Sequence, residues 1–232
     1  MIKKFYEKNG YAILDLYSSK EFLEIKNFTE SWVKSVVQYG TLKNITNKKL
    51  ENYHLWNKSL KLNHRKIFIN PNRVIEPNLK IKDLIFKEKL NSTVKKILKK
   101  DYSLWRDPGL GCLCFRFIRP GHNDGYHLCK KSWGEAKNVL SAWLPVLGFE
   151  QNQMIQLLPG SHKKKIPYIK NKSKFVEPQV NTKYLNSEEL IRPKLKKGQI
   201  LLYHPDILHS EDVKVASTCR VNLEFRFNPK IK

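Results

Sequence analysis

Seven histidines carry the side chain most suited to chemistry near neutral pH: His54, His64, His122, His127, His162, His204 and His209. Most histidines in a domain are surface groups or satisfied core residues, so the neighbourhood decides. His122 and His127 lie in a turn-rich stretch, Phe117-Ile118-Arg119-Pro120-Gly121-His122-Asn123-Asp124-Gly125-Tyr126-His127-Leu128-Cys129, that leaves a strand-like run. His209 closes Tyr203-His204-Pro205-Asp206-Ile207-Leu208-His209 behind a second such run, and Arg220 opens a third. Two histidines at strand ends, far apart in sequence, with an acid or a thiol nearby, are what a facial iron site requires. Such a site leaves open positions for other ligands.

The elements that must position these residues fall into two regions. Before about residue 105 the pattern is mostly helical. Residues 9–16 read as a short strand after a turn. Ser18-Ser19-Lys20-Glu21 has capping-box spacing, a hydroxyl with a carboxylate three residues on. Behind it Phe22, Ile25, Trp32 and Val36 recur at helical intervals, and Gly40 can end the helix. A second helix is predicted over residues 81–100, with Leu84, Ile85, Leu90, Val94, Ile97 and Leu98 as its buried stripe. Residues 44–80 are polar and Pro-punctuated, a long ordered loop with a short helix or strand. Its Tyr53, His54, Trp56, His64 and Arg73 either cover the mouth of a pocket or pack as an ordinary loop.

After Asp107-Pro108-Gly109 the period changes to two. Residues 112–118, 139–144, 153–158 and 199–203 are strand candidates. Residues 220–227 alternate cleanly, with Val221, Leu223, Phe225 and Phe227 on one face and Arg220, Asn222, Glu224 and Arg226 on the other. Short strands behind packing helices predict a mainly β fold with α support, a sandwich or open barrel. One domain is expected over residues 1–232: helical support and a lid segment over 1–105, and the β core over 106–232.

Composition sets the outer limits. The 232 residues are 41% hydrophobic and 11% aromatic, enough for a real core and too much for wholesale disorder. No run approaches the ~18 apolar residues of a membrane helix, and no apolar segment follows the charged N-terminus as in a signal peptide. Cys112, Cys114, Cys129 and Cys219 form no CxxC pair, so free thiols in a soluble cytoplasmic protein are expected. The net charge of +23 invites a nucleic-acid reading. Only 8 of the 44 basic residues are Arg, however, and the 36 Lys are scattered among 19 Asn, as AT-rich coding alone produces. Arg is the residue that reads phosphates and bases with a fork of donors. The charge therefore favours an anionic small substrate over nucleic acid.

The same residues form an ordered set of motifs: NGYAILDL from Asn9, FRFIRPG from Phe115, LSAWLPV from Leu140, LLPGSHKKK from Leu157, KGQILLYHPDILHS from Lys197 and CRVNLEFRF from Cys219. From about Asn9 to Pro229 the chain resembles the phytanoyl-CoA dioxygenase-like branch of iron(II)/2-oxoglutarate-dependent oxygenases. The resemblance implies a double-stranded β-helix, a cupin-like jelly roll flanked by N-terminal helices. His209 then matches the distal iron ligand. Arg220 matches the arginine that grips the distal carboxylate of 2-oxoglutarate, a task suited to a bidentate, charge-assisted guanidinium. His162 belongs to the PGSH signature, where it is no metal ligand, and is read as turn structure set by Pro159 and Gly160. Trp143 either lines the cosubstrate pocket or packs in the core.

The first ligand motif departs from the pattern. The family has His-x-Asp there, and two registers compete. His122-Asn123-Asp124 has the letters but follows Gly121 directly. His127-Leu128-Cys129 has the position, past the Arg-Pro-Gly turn and just before Lys130-Lys131-Ser132-Trp133, and it puts Cys129 in place of the carboxylate. With Asp124 the site is an ordinary two-His-one-carboxylate centre. With Cys129 a thiolate of lowered pKa binds iron, or the thiol stays off the metal. The expected function is an iron(II)-, 2-oxoglutarate- and O2-dependent dioxygenase that hydroxylates a small molecule. The metal ligands are His127, His209 and Cys129 (or His122 and Asp124), with Arg220 and Trp143 at the cosubstrate. The competing expectations are a metal-impaired binding protein of the same fold and a basic nucleic-acid binder.

Overall fold

The alternation at the C-terminus sets the architecture, because it produces a long strand that is buried on both faces. The structure is a computed structural model, and it describes residues 1–60, 67–68, 74–75, 78–104, 113–122, 139–169, 179–180, 185–211, 213 and 215–230. In chain order the elements are α1 (Ile2–Asn9), β1 (Tyr11–Asp15), α2 (Ser19–Thr41), α3 (Tyr53–Leu60), β2 (Val74–Ile75), α4 (Lys82–Ile85), α5 (Glu88–Leu98) and β3 (Tyr102–Leu104). They continue with β4 (Leu113–Ile118), β5 (Leu140–Leu147), β6 (Gln156–Leu157), β7 (Tyr168–Ile169), β8 (Gln179–Val180), β9 (Gln199–Tyr203), β10 (His209–Ser210) and β11 (Arg220–Pro229).

The main sheet is antiparallel in the order β1-β9-β5-β11-β4-β2, with β3 also pairing β11. Two short pairs, β10–β6 and β7–β8, lie off it. The outer face of the sheet carries Phe115, Phe117, Ala142, Leu144, Leu202, Val221, Leu223, Phe225 and Phe227 into the largest core cluster, under the helices. Each such side chain contributes about 1.5–3 kcal/mol when fully buried. The inner face packs Trp143, Leu201 and Tyr203 against Met154, Ile155, Leu157 and Ile207 from the β6 and β10 layer. This is the jelly-roll arrangement of a mainly β protein with helical support. The strands close no barrel among the described residues.

The helices follow their sequence signals with two exceptions. The capping box forms: the Glu21 amide donates to Ser18 Oγ at 3.3 Å and the Ser18 amide to Glu21 Oε2 at 2.9 Å. Behind it α2 buries Phe22, Ile25, Thr29, Val33 and Val37. It runs past Gly40 and ends instead at Leu42, in the left-handed conformation (φ 56°). The helix expected over 81–100 is two helices. Phe86 leaves helical geometry (ψ 69°) and Lys87 caps α5 in extended conformation, which lets the Phe86 ring meet Phe225 and Phe227 edge-on at 5.3 and 6.1 Å. Tertiary packing outweighs helical continuity there. Of the strand expected over 153–158, only Gln156–Leu157 pairs as one, and Gln153 ends a 3-10 turn.

Pro145 sits in the middle of β5, where a missing N–H would break a regular ladder. It pairs with Asn222 where the β11 register shifts, between Val221 and Asn222. The irregularity leaves Val146 as an extra residue on β5 and accommodates the proline.

Candidate active site

Arg220, Asn222, Glu224 and Arg226 are the polar half of the β11 alternation, and they point into the space between the sheets rather than to solvent. All are buried. Arg116 of β4, paired with Asn222 in register, joins them, and so does Glu211, which follows β10. Arg116 Nε lies 2.9 Å from Glu224 Oε2 and 3.9 Å from Glu211 Oε2. Arg226 Nη2 lies 3.5 Å from Glu224 Oε2, and Arg220 Nη2 lies 3.2 Å from Glu211 Oε1. Buried charges persist only when paired in this way, since an isolated one costs several kcal/mol. Three guanidinium groups face two carboxylates, so this part of the lumen carries a net positive charge.

Arg220 is held on every side. Its Nε donates to Asn222 Oδ1 at 2.9 Å, its Nη1 to the Gln153 carbonyl, and its plane lies 5.2 Å from the Trp143 ring. Trp143 Nε1 donates at 3.3 Å to the same Glu211 oxygen that faces Arg220. The brace behind this arrangement is the 3-10 turn at 151–153. Gln153 Nε2 donates to the Thr218 carbonyl at 2.6 Å, and the Glu150 carboxylate accepts from the Ser217 and Thr218 hydroxyls. Those bonds hold the Glu150 carboxyl below its ordinary range despite the opposing effect of partial burial. Gly148 (φ 75°) completes the corner, where a Cβ would stand 2.9 Å from Arg220 Cα.

His209 is buried on β10, opposite Leu157, with its ring 5.2 Å from that of Tyr203. Its Nδ1 lies 2.9 Å from the Ile207 carbonyl. A carbonyl only accepts, so Nδ1 carries the hydrogen and Nε2 the lone pair that a metal requires. Ser161 of the PGSH motif is buried, and its Oγ accepts from the Leu208 amide at 2.8 Å. Burial pushes the Glu224 carboxyl up to about 7. Arg116 opposes this, and the neighbouring Glu211 carboxylate adds to it. Burial also raises the Cys114 thiol against the pull of Arg226 and Arg116.

The residues named from the sequence are distributed as follows. Arg220 and Trp143 stack and meet at Glu211 Oε1, two residues beyond His209. His122 is half-buried at the turn after β4, and its carbonyl accepts from the Val213 amide at 3.0 Å. That places His122 beside Val213, just past the Ile118–Arg220 end of the sheet. His127, Cys129 and Asp124 lie outside the described residues, as do His64 and Arg73. No group of three metal-binding side chains occurs among the described residues. His162 sits in a turn after the left-handed Gly160, 5.1 Å ring to ring from His204. Tyr53 and Trp56 are buried in the outer core, Tyr53 against Phe117 at 4.9 Å, rather than at a mouth. Sequence reasoning missed Arg116, Glu211 and the Glu150–Gln153 brace. The acid two residues past His209 is the available signal for Glu211.

A sequence model of phytanoyl-CoA dioxygenase (PhyH) matches residues 6–210. The chain belongs to the phytanoyl-CoA dioxygenase family. No curated protein sequence matches it closely enough to add to this. Among solved structures, EctD from S. alaskensis with 2-oxoglutarate and 5-hydroxyectoine is similar at TM-score 0.65 and 12% identity, over 98% of this chain and 74% of that one. EvdO2 from Micromonospora carbonacea var. aurantiaca, complexed with 2-oxoglutarate, is similar at 0.63 and 12%, over 100% and 91%. The carbocyclase SnoK from nogalamycin biosynthesis, α-ketoglutarate-dependent, is similar at 0.62 and 11%, over 98% and 83%. At these identities the likeness is one of fold.

Iron and 2-oxoglutarate are the cofactor and cosubstrate expected of a phytanoyl-CoA dioxygenase family member, and both occur in solved neighbours. The His209 imidazole fits iron, because its tautomer presents Nε2. Arg220 has the chemistry to hold a carboxylate, and in this structure it already holds one, that of Glu211. No helix among the described residues is long and apolar enough to cross a membrane.

Proposed function

We propose that this phytanoyl-CoA dioxygenase family protein is an iron(II)/2-oxoglutarate-dependent oxygenase that hydroxylates a small molecule. The observation that carries the reading is His209, a buried imidazole whose Nδ1 proton is held by the Ile207 carbonyl, followed two residues on by Glu211, which pairs with the buried Arg220 guanidinium. His209 and His127 would hold iron, with Cys129 or Asp124 in the third position. Bound iron would supply dioxygen activation coupled to oxidative decarboxylation of 2-oxoglutarate to succinate.

The chain's own groups do the rest. Arg220 orients the cosubstrate carboxylate, Trp143 covers the guanidinium and keeps water from it, and the Ile207 carbonyl holds the His209 proton on Nδ1. The positive lumen favours an anionic substrate. Arg116, Arg220 and Arg226 are buried there, which removes three of the eight arginines from any phosphate-reading surface and weighs against the nucleic-acid alternative.

The test is anaerobic titration of the apoprotein with iron(II) at saturating 2-oxoglutarate, read by the visible charge-transfer band of the chelated cosubstrate. A band in the wild type that is lost in His209→Ala and His127→Ala is the expected result. Folded protein without a band overturns the reading. Cys129 at the carboxylate position and the Glu211–Arg220 pair favour a second reading, a non-catalytic binding member of the fold. Regained iron binding in Cys129→Asp would identify that case.

A further inference from the structure

Glu211 lies two residues past His209, just beyond the end of β10. Its carboxylate reaches Arg220, the candidate cosubstrate anchor. One oxygen, Oε1, accepts from Trp143 Nε1 at 3.3 Å and forms an ion pair with Arg220 Nη2 at 3.2 Å. Nε donates to Asn222 and Nη1 to the Gln153 carbonyl, which fixes the orientation of the guanidinium. An incoming carboxylate must compete for the Nη2 edge that Glu211 already holds. The side chain has somewhere to go, because its other oxygen, Oε2, faces Arg116 at 3.9 Å.

We infer that Glu211 is a resident carboxylate on the cosubstrate subsite, so that 2-oxoglutarate reaches Arg220 only by displacing it toward Arg116. This rests on the oxygenase reading and adds to it a residue that sets cosubstrate affinity. Displacement lowers affinity in proportion to the fraction of molecules in which Glu211 has moved aside. A ligand with one carboxylate at the right distance pays the same toll as 2-oxoglutarate, so Glu211 penalises the whole class of acids that would seat on Arg220. A plain counter-ion role, in which Glu211 only neutralises Arg220, predicts a gain for the charge-removing Gln and Ser variants but none for Glu211→Asp, which keeps the charge.

Calorimetric titration of 2-oxoglutarate into the manganese(II)-loaded protein separates these cases, using wild type, Glu211→Gln and Glu211→Ser, each first shown to unfold cooperatively. Both variants are expected to bind 2-oxoglutarate at least about tenfold more tightly, the factor for an open state populated to 10% or less. Adding Arg220→Ala to Glu211→Ser is expected to abolish the gain. Glu211→Asp, which withdraws the charge by one methylene, is expected to show a smaller gain and serves if the other variants do not fold. Binding by the wild type as tight as by the variants overturns the role of Glu211 and leaves the oxygenase reading standing. Binding by none of them overturns the oxygenase reading and the inference with it.

Discussion

Ser161 Oγ accepts a hydrogen bond at 2.8 Å from the amide of Leu208, the residue immediately before His209. The serine of one motif thus fixes the backbone of another, 47 residues later in the chain. Its burial leaves the Leu208 amide no water to turn to.

Ser161→Ala should therefore cost about 1–3 kcal/mol, the penalty for orphaning a buried donor. It should also weaken metal binding through the misplaced His209 ring. Thermal unfolding without metal and metal titration of the folded variant measure the two effects. An unchanged melting temperature would remove Ser161 from its positioning role.

Gly148→Ala introduces a Cβ that meets Gln153 Oε1 at 2.6 Å, the Cys219 carbonyl at 2.8 Å and Arg220 Cα at 2.9 Å, on a backbone with φ 75°. The strain alone costs more than about 1 kcal/mol. The contacts push on the backbone that presents Arg220, so 2-oxoglutarate affinity should fall together with the melting temperature. A variant that melts and binds like wild type contradicts this geometry.

Glu224 gives a pH dependence with a definite sign. Its carboxyl is raised in the fold to about 7 from an ordinary 4.5, so between these values the folded chain keeps a proton that the unfolded chain has lost. Stability attributable to this group is unaffected below pH 4.5, falls as pH rises toward 7, and is level above that. Glu224→Gln has no such proton. Whatever the loss of its ion pairs does to the absolute melting temperature, its melting curve should fall less steeply than wild type over this interval. Parallel curves would show that Glu224 does not titrate there.

Cys219 is buried beside His54, with its Sγ 3.4 Å from Nδ1, and burial pushes its thiol up to about 12. Thiolate is the reactive form, so at pH 8 native Cys219 should resist iodoacetamide. Peptide mapping should find it alkylated only after denaturation. Rapid labelling of the native protein would mean that this corner opens.

Much of this arrangement can be read from the chain itself. The capping box at Ser18, the alternation of β11 and the ordered motifs each depend on neighbours in sequence or on a fixed spacing, and they point to the observed strands, helix start and family. The break at Phe86 cannot be read locally, because it exists to seat one ring against Phe225 and Phe227. Glu211 is harder still. In His209-Ser210-Glu211-Asp212 it looks like one of two surface acids, and its partners Arg116 and Trp143 come from strands far back in the chain. Only the folded sheets bring them together. His127 and Cys129 were chosen by position against a family pattern, and they lie outside the described residues.

β11 assigns its alternate residues to two separate tasks. Val221, Leu223, Phe225 and Phe227 hold the helices, while Arg220, Asn222, Glu224 and Arg226 furnish the lumen. Substitutions at the even positions therefore act on the buried charge pairing, and those at the odd positions on the outer core. Insertion or deletion of one residue would exchange the two sets, burying charge under the helices and phenyl rings in the pocket. The strand tolerates changes of letter and forbids changes of frame.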